Sequence, residues 1–362
     1  MNETALRERL FDLATDAPAG FVPPPDLLRR ARRRVLLTFT SLAAVAVLLT
    51  VGATLSVRAL ETPERRTPAE PSVEPTGLFK DVGGLIAYRS GSEIRAVDPA
   101  DPGQTISLGF YGGPVGWSLD GTRLLSSIQS EGTGSSLYVL GDDGSRTLLS
   151  KETHWGAFSP DGSQVVYSHG GWRGPYIVDT DGGTPRSLAD PCPRQEVRGE
   201  LRELCGEPAA EATAWSPDGS TIAWLDFGEG TIPGVGHKNF LSVVNPDGTG
   251  LREGVARLPG TFGGYSLVWS PDGSRLAFWM ADDDDRNAQI FVINADGTGL
   301  RQITDEGENR WPTWSPDGSR IAFVRDGALH TMAPDGSDVT EVEGVRPEGP
   351  IAWNPVPTEP GG

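Results

Sequence analysis

Two cysteines, four histidines and a recurring aspartate are the residues of this chain whose types invite chemistry. Cys192 and Cys205 lie 13 positions apart in a polar insert, and no CxxC or Cys/His cluster accompanies them. A structural zinc ion therefore has no ligand set to draw on. Outside the cytoplasm such a pair oxidises, so the expectation is a disulfide between Cys192 and Cys205 that pins the insert. Two inert thiols are the alternative, and alkylation after reduction separates the two by mass. His154, His169, His237 and His330 are scattered. No G-x-S-x-G nucleophile elbow occurs; Gly116-Trp-Ser118-Leu-Asp comes nearest and reads as a turn. Neither a zinc-binding HExxH nor a phosphate loop is present. With nothing to bring serine, histidine and acid together, the chain is expected to be no enzyme and to need no cofactor.

The aspartates belong to a repeat. Trp117-Ser-Leu-Asp-Gly, Phe158-Ser-Pro-Asp-Gly, Trp215-Ser-Pro-Asp-Gly, Trp269-Ser-Pro-Asp-Gly and Trp314-Ser-Pro-Asp-Gly are spaced by 41, 57, 54 and 45 residues, and a truncated Trp353-Asn-Pro follows 39 further on. This period lies in the range of four-stranded propeller blades. Ser-Pro-Asp-Gly is a tight turn: proline fixes φ, aspartate accepts backbone hydrogen bonds and glycine takes positive φ. Asp161, Asp218, Asp272 and Asp317 are thus expected to satisfy turns, not metals. A second turn recurs at Gly144, Gly182, Gly248, Gly297 and Gly336. Strand-length apolar runs flank both turns, which gives four strands per unit, a to d from the inside out. The repeated aromatic ends strand a and is expected to wedge between sheets. Asp282 to Asp285 form an acidic run after strand b, expected to be a solvated loop, with a calcium site as the alternative.

The ends of the body interlock. Leu85-Ile-Ala-Tyr, Glu93-Ile-Arg-Ala-Val and Thr105-Ile-Ser-Leu read as strands b, c and d with no strand a before them. Pro350-Ile-Ala-Trp supplies a strand a with nothing after it. Joined, they complete a sixth blade and close a ring without free edges. The fold class is all-β: a six-bladed β-propeller preceded by a single transmembrane helix. The W-S-P-D-G-S-R-I-A-F repeats resemble the WD-like β-propeller repeat of the TolB family over about 79–356. That resemblance implies the fold and says little of function. The chain departs from TolB in lacking a preceding α/β domain and in carrying an apolar anchor segment, so TolB's partners are not carried over.

Strand a lines the channel of such a ring, and propellers bind at its mouth. Four residues before each aromatic stand Gly113, His154, Glu211, Tyr265, Arg310 and Gly349. His154, Glu211, Tyr265 and Arg310 are the candidate ligand-binding rim, with exposed strand ends as the plainer reading. One residue nearer the aromatic, Trp155 and Trp311 appear; alternation lets only one of the two rows face the channel at a given height.

Residues 35–57 are 23 without a charge, long enough as a helix to rise about 35 Å and span a bilayer core. Five arginines between Arg29 and Arg34 precede them and only Arg58 follows at once, which places the N-terminus in the cytoplasm and the rest outside. A retained anchor is expected over a cleaved signal peptide, since the leader and apolar run are both long and no A-x-A site follows. The chain thus divides into a cytoplasmic segment 1–34, a signal-anchor helix 35–57, a proline-rich linker 58–78, the propeller 79–357 and a tail 358–362. Leu6, Leu10 and Leu13 have helical spacing in the first segment.

Net charge is −18, nearly all of it beyond residue 78, and 47 glycines with 30 prolines make up about a fifth of the chain. Such turn density argues for many short strands over a helical bundle. An acidic body repels phosphate backbones, so no nucleic acid is expected as partner. The expected function is a membrane-anchored extracytoplasmic binding or scaffolding module of the cell envelope, taking a protein or small-molecule ligand at the propeller mouth. A transmembrane regulator signalling to a cytoplasmic partner and an envelope hydrolase or lyase acting at the rim are the alternatives.

Overall fold

The structure is a computed structural model. It describes residues 77–130, 134–151, 153, 155–168, 174–188, 194–197, 200–203, 208–228, 238–259, 262–282 and 285–356. The cytoplasmic segment, the anchor helix, most of the linker, the tail, His154 and both cysteines lie outside these residues.

Six four-stranded antiparallel sheets follow one another around a ring. Blade 2 comprises Gly113–Trp117, Arg123–Ser130, Gly134–Gly141 and Arg146–Lys151. Blade 3 comprises Gly156–Phe158, Gln164–Tyr167, Tyr176–Asp179 and Arg186–Ser187. Blade 4 comprises Pro208–Trp215, Ile222–Gly228, Lys238–Val244 and Arg252–Leu258. Blade 5 comprises Phe262–Trp269, Arg275–Ala281, Gln289–Asn294 and Arg301–Gln302. Blade 6 comprises Asn309–Trp314, Ile321–Arg325, Ala328–Met332 and Thr340–Glu341. Blade 1 is composite: Ile351–Trp353 supplies strand a, and Ile86–Ser90, Glu93–Asp98 and Asp101–Tyr111 supply b, c and d. The ring closes as the interlocking ends require. Ile86 pairs with Trp353, Ala87 with Ala352 and Tyr88 with Ile351.

The polar insert between blades 3 and 4 contains a hairpin of its own, Arg194–Val197 with Glu200–Glu203. Charged residues dominate this hairpin, so its strands carry little of the apolar alternation by which a strand is read from sequence.

The recurring turns form as their chemistry dictates. In blades 2 to 6 the serine hydroxyl donates to the aspartate Oδ1 at 2.6–2.7 Å. The same Oδ1 accepts the backbone N–H two residues on at 3.0–3.1 Å. The serine oxygen in turn accepts the N–H that opens strand b, as from Arg123 at 2.9 Å. These are Asx-type turns that satisfy both partners locally. At the second turn Gly336 takes φ 89°, and a Cβ there would stand 2.3 Å from the Ile303 carbonyl oxygen of the preceding blade. Only glycine fits both demands.

The core is six seams. Each hydrophobic cluster joins two neighbouring blades; one, for example, packs Leu225, Leu241 and Val243 of blade 4 against Leu276, Phe278 and Ile293 of blade 5. The repeated aromatics wedge into these seams. The indole N–H of Trp117 donates to the Ala352 carbonyl and that of Trp269 to the Ala214 carbonyl, each on strand a of the preceding blade.

The segment before blade 1 is a strap across the seam of blades 1 and 2. The N–H of Leu78 donates to the Asp142 carbonyl at 2.7 Å, and Phe79 and Val82 are fully buried. Phe79 meets Trp117 edge to face at 4.9 Å and Phe110 at 5.9 Å. Phe79→Ala is expected to cost about 3–5 kcal/mol of stability, read as a shift in the denaturant midpoint.

Candidate functional site

The inner strands enclose a central cavity of about 400 Å³. Strand a of every blade contributes to its wall, through residues such as Val115, Ala157, Thr213, Val268, Thr313 and Ile351. One mouth is ringed by the residue two positions after each repeated aromatic: Leu119, Pro160, Pro217, Pro271, Pro316 and Pro355. This ring exists because strand a of blades 3 to 6 ends in aromatic-Ser-Pro at the same height, with Trp-Ser-Leu in blade 2 and Trp-Asn-Pro in blade 1 at the equivalent positions. The sequence reading treated these prolines only as turn formers. Their rotational equivalence across the repeat was the signal that they would meet.

Both recurring turns lie on this same face, since a–b and c–d connections share one end of an antiparallel blade. Their backbones touch: Asp142 N–H donates to the Thr122 carbonyl, Thr180 N–H to that of Ser163, and Ala295 N–H to that of Ser274. Hydrogen bonds favour the charged form of several turn carboxylates. The hydroxyls of Ser159 and Ser315 foremost hold Asp161 and Asp317 below the usual carboxylate range. At the outer turns, the side chains of Ser145, Thr249, Thr298 and Ser337 do the same for Asp143, Asp247, Asp296 and Asp335. Turn aspartates with this bonding need no ion. Among the described residues no three histidine, cysteine or acidic side chains gather into a group that could hold a metal.

The predicted rim falls at the other end of strand a. Arg310 opens the inner strand of blade 6, where its guanidinium is already engaged. Its Nη1 donates to Asp285 Oδ1 at 2.8 Å, its Nη2 to the Asp285 carbonyl at 2.7 Å and to Glu308 at 3.4 Å, and its plane lies 4.7 Å from the Trp279 ring centre. Arg310 therefore bridges the blade 5 loop to blade 6. Glu211 sits at the bulge where blade 4 strands a and b change register between Ala210 and Ala212, and Tyr265 lies within a similar shift in blade 5. Only the backbones of these two are described, and His154 lies outside the described residues. The row one residue nearer the aromatic reaches the cavity: Trp155, Ala212 and Ser266 line it. Trp311, in the same row, packs instead against the seam of blades 6 and 1, at φ 53°.

Asp282 and Asp285 of the acidic run serve protein partners. Asp282 accepts the Arg286 N–H at 2.8 Å and the Asn287 amide at 2.6 Å, while Asp285 holds Arg310. The hairpin between the cysteines is in register Arg194 to Glu203, two residues short of Cys192 and Cys205, which lie outside the described residues.

One ionisable group escaped the sequence reading. Asp226, in strand b of blade 4, has a buried Oδ1 with no hydrogen-bond partner. Burial, and secondarily the nearby charge of Glu253, push its carboxyl up to about 6. Aligning the repeats does not single it out: 11 residues after the aromatic, blades 2 and 5 carry Ile128 and Met280, but blades 3 and 6 carry His169 and Arg325.

A closed six-bladed β-propeller with an apolar, proline-rimmed channel is the class that fold and site define. Residues 209–344, spanning blades 4 to 6, match the family described as the TolB beta propeller domain. Blades 4 to 6 are thus TolB-like, within a ring of six blades. TolB from Acinetobacter baumannii superposes with a TM-score of 0.53 at 16% identity, covering 77% of this chain and 68% of that one. A chain of a nidogen/laminin complex does so at 0.56 and 12% identity, covering 76% and 99%. Dipeptidyl-peptidase 5 of Porphyromonas endodontalis is 29% identical over 168 residues, 43% of this chain. That match spans only 20% of the peptidase's length.

Proposed function

We propose that this chain is a membrane-anchored, extracytoplasmic binding or scaffolding module of the cell envelope. Residues 35–57 serve as its single-pass anchor and the propeller receives a ligand at its channel. The observation that carries this reading is the cavity of about 400 Å³ on the ring axis, a size and apolar character typical of ligand sites. Catalytic machinery is not part of the proposal, for the cavity wall combines backbone, aliphatic, proline and tryptophan groups with a few hydroxyls.

Two measurements test it together. The full chain should stay with the membrane after an alkaline wash, and protease added outside spheroplasts should reach the propeller while residues 1–34 stay protected. Deleting residues 1–25 should leave ligand capture by the propeller unchanged. A chain released by the wash, or a propeller accessible only from the cytosol, refutes the anchor. Loss of the cell's envelope phenotype on deleting residues 1–25, with capture intact, would replace the scaffold by a signalling protein.

A further inference from the structure

The face around the proline ring has a charge pattern that identifies what would enter it. The eleven a–b and c–d connections on this face hold twelve aspartates against a single basic residue, Arg320. The arginines that open the adjoining strands offset part of this charge, Arg123, Arg186 and Arg301 lying near enough to favour ionised Asp143, Asp247 and Asp335, while they spend hydrogen bonds on carbonyls. Arg123 donates to the Gly162 carbonyl at 2.9 Å, Arg186 to the Pro246 carbonyl at 2.7 Å and Arg301 to the Pro334 carbonyl at 3.4 Å, each in a turn of the next blade. The turn aspartates bond inward chiefly through Oδ1, as Asp120, Asp161, Asp247 and Asp296 do. At Asp218 and Asp317 the second oxygen also accepts from the turn's own serine, Ser220 at 2.9 Å and Ser319 at 2.8 Å. Charge of one sign around a low-dielectric concavity focuses the field on its centre.

We propose that the proline-ringed mouth is a docking site for a cationic polypeptide segment that inserts one aromatic or long aliphatic side chain into the channel. This rests on the binding-module reading above and names its partner class. The inserted side chain meets Val115, Ala157 and Val268, and the prolines offer rigid apolar rims. Lysines or arginines on either side of it reach the encircling carboxylates. An acidic segment would meet like charge at blades 2 to 6, and an uncharged one would gain only the apolar contact. Arg310 and the backbones of Glu211 and Tyr265 are at the opposite end of strand a and take no part.

The probe is a short fluorescein-labelled peptide with lysines flanking a single tryptophan in a Gly/Ser frame. It is titrated by anisotropy against the full chain at low salt. Binding in the micromolar range is expected, weakened about tenfold or more by replacing the tryptophan with serine or by raising salt to physiological strength and above. Two protein variants address the two halves of the site. Ala157→Phe fills the channel, and Asp120→Asn with Asp161→Asn and Asp317→Asn removes charge while keeping the amide oxygen that caps each turn. Each should weaken the peptide about tenfold. The filled channel should keep a melting temperature close to that of the parent. The triple variant, having lost turn charges that stabilise the fold, is compared with the parent well below its own lower melting temperature. Equal affinity for the serine peptide, or no effect of either variant, overturns the proposal, as does a failure of the tryptophan–lysine peptide to bind. If a peptide with glutamates in place of lysines binds and Ala157→Phe abolishes it, charge recognition is wrong while the binding-module reading survives. That reading fails separately if the propeller loses its extracytoplasmic placement.

Discussion

Removing residues 346–362 is expected to abolish the cooperative thermal transition of the propeller, whereas ending the chain after Val356 leaves it intact. The shorter deletion takes only the tail beyond the last described residue. The longer one removes strand a of blade 1 and every bond by which it seals the ring. The Asn354 N–H donates to the Leu85 carbonyl at 2.9 Å and that of Glu348 to the Arg89 carbonyl at 3.1 Å. The Trp353 indole reaches the Gly84 carbonyl at 2.7 Å, and the Gly91 N–H the Glu348 carboxylate at 3.0 Å. Ile351 and Ala352 are buried, and their loss uncovers Ile86, Ala87 and Trp117 in two seams. Each large apolar side chain so exposed forfeits about 1.5–3 kcal/mol, and a domain's whole margin is about 5–15 kcal/mol. The opened blade also presents an unpaired strand edge, so the variant should aggregate on heating. Differential scanning calorimetry decides the matter: a truncated chain melting within a few degrees of the parent would show that closure by the C-terminal strand does not hold the fold.

Asp226→Asn is expected to stabilise the protein at neutral pH. In the folded state this carboxyl titrates near 6 because burial opposes its charge, and in the unfolded chain near 3.8. Below about pH 4 both states hold the proton and the residue is neutral in its effect. As pH rises from 4 to 6, the unfolded chain gives up the proton first, and stability falls. Above pH 6 the full penalty persists, at most about 3 kcal/mol for a difference of this size. Asparagine mimics the protonated acid in shape and hydrogen-bonding capacity, so it removes the penalty without emptying the site. The gain over the parent, measured from urea midpoints, should be largest at pH 7.5 and vanish as pH approaches 4. The turn aspartates oppose this trend in both proteins. Their lowered pKa values give stability that is present at neutral pH and lost as pH falls toward their folded values. The comparison is therefore between variant and parent at each pH. A gain independent of pH would assign the effect to packing.

Much of the ring was legible from the chain because the information is local. A Ser-Pro-Asp-Gly turn folds through bonds spanning five residues, from the Ser159 hydroxyl to the Gln164 N–H for instance, and its sequence needs no distant partner. Repetition then multiplies one such unit into blades, and a missing strand at one end with a spare strand at the other announces closure. Features that cross from blade to blade were not legible. Arg310 stands at a position equivalent to other rim residues, yet its partner Asp285 is 25 residues away on the neighbouring blade, and the contact removes it from the candidate rim's free groups. Phe79 opens the propeller segment ahead of any strand, and only the gap between Phe110, Trp117 and Leu140 gives it a place.

Sequence settled the unit, its turns and the number of blades, because strand alternation and turn chemistry act over a few residues and recur. Tertiary packing alone decided which end of the channel is walled by prolines, which charges are neutralised across seams and where a carboxyl is stranded without a partner. Those outcomes depend on distances between blades, which no local pattern encodes.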